Sequence, residues 1–115
     1  MAYDEFLADR IRGVLMRKQV SFEEKKMMGG LCFMVDGKMC VGVEKDKLMA
    51  RIDPDIYEQA LMRKGCREMD FTGRPMKGFV FVEPEGMDMD YELDYWVQLC
   101  LDFNPKAKSS RKKKK

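Results

Sequence analysis

Apolar residues at Tyr3, Phe6, Leu7, Ile11, Val14 and Leu15 recur at helical spacing and predict a helix over Ala2–Lys18. Asp4 and Glu5 sit in its first turn and Arg17 and Lys18 in its last, which complements the helix dipole. Gly13 interrupts it, at a cost of up to about 1 kcal/mol relative to Ala. Ser21 and Glu24 have capping-box spacing, but no helical pattern follows. The stretch VSFEEKK therefore reads as a connection into a strand. Apolar runs then predict strands at Lys25–Val35, Met39–Glu44 and Leu48–Ile52. Asp36-Gly37 between the first two is the signature of a type I′ hairpin, where both central residues need positive φ. A two-residue loop would place Val35 opposite Lys38, Phe33 opposite Cys40 and Leu31 opposite Gly42.

Alternation in this hairpin is poor. Leu31, Phe33 and Val35 should point one way, and Cys32, Met34, Met39, Val41 and Val43 the other. An antiparallel sheet with one wet face would carry polar groups on that face. Both faces here are apolar, so each needs a cover: the N-terminal helix, another segment, or a second copy in a homodimer.

Asp53-Pro54 predicts the start of a second helix, with Asp as N-cap and Pro at the first position. Ile56, Tyr57, Ala60 and Leu61 give its apolar stripe, and Gly65 suits its left-handed end. Cys66–Phe71 and Met76–Val82 read as strands around a Thr72-Gly73-Arg74-Pro75 turn. Asp88 or Asp90 should cap a last helix carrying Leu93, Trp96, Val97, Cys100, Leu101 and Phe103, and Asn104-Pro105 should stop it. The order α-β-β-β-α-β-β-α predicts an α+β fold, two layers with an antiparallel five-stranded sheet. Residues 1–105 form the domain and 106–115 a disordered basic tail.

Charge changes this picture at one end. Residues 106–115 hold seven cations and no acid: Lys106, Lys108, Arg111, Lys112, Lys113, Lys114 and Lys115. Before them stand 15 basic groups against 20 acidic ones, so an acidic body carries a basic tail suited to weak, sequence-independent nucleic-acid contact. No apolar run approaches the roughly 20 residues of a membrane span. The N-terminus MAYDEFLADR has acids where a secretory signal has positive charge, so a cytoplasmic chain with no membrane partner is expected.

The catalytic inventory is thin. There is no histidine, which removes Ser-His-Asp and Cys-His chemistry within the chain. Cys32, Cys40, Cys66 and Cys100 form no C-x-x-C pair and read as small buried hydrophobes, so no metal or cofactor is assigned. Asp88/Asp90 and Asp53/Asp55 are explained by helix capping. Met28-Gly29-Gly30 enters a strand and cannot cradle phosphate as a P-loop does; its glycines suit a bulge or close packing. The twelve methionines are scattered, without a dense Met-x-x-Met array, and read as core filler. Arg51 inside a short strand, and Arg74 and Lys77 beside Pro75-Met76, are candidates for binding an acidic partner group. The plainer reading is an ion pair such as Arg74 with Asp70.

Met27–Met39, MMGGLCFMVDGKM, resembles the opening motif of the TfoX (Sxy) N-terminal domain family. Leu48–Ile52, LMARI, and Met69–Phe79, MDFTGRPMKGF, continue the resemblance in family order, as do Leu93, Trp96 and Val97. It covers about residues 3–104. The resemblance implies an α+β fold with an antiparallel sheet. Family members with a second, helical domain are regulators of natural competence that work with the cyclic-AMP receptor protein at promoters; here a lysine tail follows instead. The expectation is a non-enzymatic regulatory, protein-interaction module with an unknown protein partner, the transcription machinery being the candidate. Two alternatives stand beside it: a nucleic-acid binder acting through the tail, and a small-ligand binder or enzyme using Cys32 or Cys40.

Overall fold

Asp4 decides where the chain first becomes helical. Its carboxylate accepts from the backbone N–H of Phe6 at 2.9 Å and of Leu7 at 3.3 Å, capping α1 (Glu5–Arg17). The structure, a computed structural model, describes residues 3–27, 29–69 and 78–107. Four strands follow α1: β1 (Glu23–Met27), β2 (Gly30–Val35), β3 (Lys38–Glu44) and β4 (Lys47–Arg51). Then come α2 (Tyr57–Leu61), β5 (Cys66–Glu68), β6 (Phe79–Val82) and α3 (Asp90–Phe103). The sheet is antiparallel throughout, in the order β1-β2-β3-β4-β6-β5.

Six strands replace the five expected, because the run Lys25–Val35 divides. Gly29, at φ +75°, turns the chain so that Met27 pairs with Gly30. At Gly30 a side chain would collide with the Val43 carbonyl, so close backbone approach explains the second glycine.

The hairpin register also differs from the expected one. Val35 does face Lys38, and Asp36 and Gly37 both have positive φ. A bulge then intervenes: Met34 faces Met39, but Phe33 faces Val41 and Leu31 faces Val43. Cys40 is the extra residue. The slip returns Val41 and Val43 to the face of Phe33 and Leu31, where the simple alternation had placed them on the opposite one.

That face holds the main core. Leu31, Phe33, Val41, Val43, Leu48 and Val80 meet Leu7, Ile11 and Leu15 of α1 and Leu93, Trp96 and Val97 of α3. The N-terminal helix thus supplies the expected cover, together with α3. The other face carries a separate cluster of Cys32, Met34, Met39, Met49 and Met69, with Phe79 and Phe81 against it.

Helix entry differs in two places. Asp53 accepts from the Asp55 N–H at 2.9 Å, but it caps a 3-10 turn, Pro54–Ile56, that leads into a short α2. Gly65, at φ +79°, then packs against Gly86, whose N would lie 2.7 Å from an added Cβ. No Asp side chain caps α3. Met89 stands at the cap, its N–H donating to the Glu92 carboxylate at 2.9 Å, while Asp90 pairs with Arg10 at 3.4 Å. Among the described residues no helix is long and apolar enough to cross a membrane.

Candidate functional site

Two chain turns build the corner that contains Arg51. The first leaves β4. The Ile52 N–H donates to the Gly78 carbonyl at 2.8 Å, and Asp53-Pro54 bends the chain toward α2. Gly78 stands at φ +94°, and a Cβ there would lie 3.3 Å from the Ile52 carbonyl oxygen. The second turn ends α3. Asn104 is buried, and its Nδ2 donates to the Val35 carbonyl at 3.1 Å. Lys38 Nζ adds a bond to the Asn104 carbonyl at 3.2 Å. The β2–β3 hairpin therefore holds the 3-10 turn Asn104–Lys106 in place.

Between these turns lies a groove of about 250 Å³. Ile52, Pro54, Phe79 and Phe103 form its apolar walls, and Arg51 and Lys106 bring two cations to it. Arg51 pairs across the ladder with Phe79, and its guanidinium sits 5.4 Å from that ring. It also donates to the Met39 carbonyl at 3.4 Å. Burial lowers the Arg51 pKa, and the nearby Cys40 opposes that shift. The charge persists, since guanidinium does not lose its proton in proteins. Lys106 reaches Asp53 at 3.8 Å, with a side chain 70% exposed. That is a loose surface pair, open to exchange for another carboxylate.

Of the candidates raised from the sequence, Arg51 and Lys106 line this one groove. Arg74, Lys77 and the proposed Arg74–Asp70 pair lie outside the described residues, as do Lys108, Arg111, Lys112, Lys113, Lys114 and Lys115. The apolar walls were not foreseen. The sequence pattern places Phe79 in a strand and Phe103 on the apolar face of the last helix, without indicating a groove. Their role follows from register and from the Asn104 clamp, which single-residue pattern does not reveal.

No cysteine lines the groove, although Cys40 lies near Arg51. Cys32 and Cys40 are buried on opposite sheet faces. Burial pushes the Cys32 thiol up to about 11 and the Cys40 thiol to about 12, so both stay protonated at neutral pH. Asp53 and Asp90 have the partners already described. Among the described residues no three His, Cys, Asp or Glu side chains converge as a metal site.

A second groove, of about 320 Å³, runs between α2 and α3, where Arg63 stacks 4.0 Å above the Tyr95 ring. Its polar groups are Gln59 of α2, Arg63 just beyond the end of that helix and Tyr95 of α3, with a single cation among them.

Comparison with known proteins agrees with the motifs that run from β2 to α3. No curated protein and no solved structure matches the chain. The family model described as the TfoX N-terminal domain matches residues 15–104, a span that takes in every strand, α2, α3 and Arg51. The chain belongs to the TfoX N-terminal domain family.

Proposed function

We propose that this chain is a non-enzymatic regulatory module that docks a protein partner at the Arg51–Lys106 groove. The partner presents an acidic side chain beside an apolar one. The observation that carries this reading is the pairing of two cations with the apolar walls Ile52, Pro54, Phe79 and Phe103 in one groove. A carboxylate gains most from a cation at a site partly shielded from water, and the walls supply that shielding. Membership of the TfoX N-terminal domain family supports a regulatory role and makes the transcription machinery the place to look for the partner. A photo-cross-linking residue at Phe103 in the full chain should capture a discrete partner in cells. The same residue at Lys25, on the edge strand β1, should not. Capture at Lys25 alone would refute the reading.

The basic tail supports a second, compatible activity. Its seven cations begin at Lys106, which lines the groove, and would draw polyanions.

A further inference from the structure

The two faces of the sheet differ in composition as well as in cover. Toward α1 and α3 the strands present Leu31, Phe33, Val41, Val43, Leu48 and Val80, the aliphatic and aromatic set usual for strands. Among the described residues, the cluster on the other face has no Val, Ile or Leu. Five sulfur-bearing side chains gather there: Cys32, Met34, Met39, Met49 and Met69. They come from β2, β3, β4 and the residue that follows β5, so linear spacing conceals the grouping. We propose that this cluster is a site for one soft monovalent cation, copper(I) in the cell, held by the Cys32 thiolate and the methionine thioethers.

Register places the ligands. Cys32, Gly42 and Met49 are successive partners across β2, β3 and β4. Gly42 has no side chain, and the Met49 methyl lies 2.9 Å from where its Cβ would be. Met49 therefore reaches across β3 toward Cys32. Met34 and Met39 face one another beside them, with Met34 two residues from Cys32 on the same sheet face. Cys32 and Met49 are wholly buried, whereas Met34 and Met39 keep 7% and 4% of their surface and mark the entry.

Charge selects the ion. Among the described residues the clustered sulfur side chains offer one ionisable ligand, Cys32, and the chain has no histidine. A monovalent cation with one thiolate is neutral, which an apolar interior accepts. A divalent ion would leave a net buried charge and an unfilled demand for anionic or nitrogen donors. Thioether and thiolate donors favour copper(I) among the first-row metals. On binding, the Cys32 S–H bond breaks, a sulfur–copper bond forms and the proton passes to solvent; copper stays in the +1 state throughout. Thiolate ligation displaces the thiol proton, so uptake should release about one proton per ion at neutral pH.

The test is copper(I) competition against bicinchoninate under anaerobic conditions, using the full reduced chain. The half-buried Cys66 is a rival thiol, so Cys66→Ser serves as the background. That protein should take up one ion. Replacing Met34, Met39 and Met49 together by Leu conserves volume and leaves every other thiol in place. It should weaken binding by an order of magnitude or more. Cys32→Ser should do the same, with circular dichroism confirming that both variants are folded. Sulfur-only coordination in X-ray absorption completes the expected result. Failure of the Cys66→Ser protein to hold copper(I) would overturn the proposal, as would unchanged affinity in the folded triple-Leu or Cys32→Ser variants.

Discussion

Two glycines behave oppositely, and the environment of the missing side chain decides which way. Gly13 lies on the exposed side of α1, and a Cβ there would meet nothing within 4 Å. Gly13→Ala should stabilise the protein by up to about 1 kcal/mol in thermal or urea unfolding. Gly30→Ala should destabilise it by more than that, because the new methyl would overlap the Val43 carbonyl. Ionic contacts act at this scale too. Arg12 bonds Glu24 through Nη2 at 2.9 Å, which holds the Glu24 carboxyl below its ordinary range. An acid depressed in the folded state adds stability above its unfolded pKa and loses it as pH falls through the folded value. The melting-temperature gap between wild type and Glu24→Gln should therefore be widest near neutrality and shrink as pH falls below the ordinary carboxylate range. Local residue codes of this kind were legible in the sequence. Asp36-Gly37 and Gly65 all adopt the positive φ their turns require. Asp4 had been read only for its charge, yet its carboxylate caps α1.

Elements were legible where short-range chemistry sets them and obscure where packing does. The Asp36-Gly37 loop fixed only the first pair, Val35 with Lys38. The bulge at Cys40 answers a longer-range demand, that Val41 and Val43 join Phe33 beneath α1 and α3, and no residue within the hairpin signals it. The split of Lys25–Val35 was hidden for a similar reason: Gly29 and Gly30 were visible, but the Val43 backbone that presses on Gly30 was not. The groove depends on such a tertiary link, the Asn104 side chain joining the end of α3 to Val35. Asn104→Ala would leave the Val35 carbonyl without that donor in a buried setting. It should cost about 1–3 kcal/mol in denaturant unfolding. It should also weaken partner binding, since the same turn carries Lys106.

At the scale of the molecule, both sheet edges resist pairing with another strand. β1 reads EEKKM and presents charges, and β5 is three residues long. Association by strand addition is thereby disfavoured. The tail adds a separate electrostatic layer. Affinity of the full chain for duplex DNA should be weak, independent of sequence and lost as salt rises. A form ending at Ala107, measured in the same salt series, should bind almost none; tight sequence-dependent binding by that form would move DNA recognition into the folded body. Docking of an acidic partner group between Arg51 and Lys106 is tested by calorimetric titration of the partner captured at Phe103. Lys106→Glu should weaken that binding by about tenfold or more, as expected when a like charge replaces a partner cation, while Lys25→Glu leaves it unchanged. Equal affinities for wild type and Lys106→Glu would contradict the account.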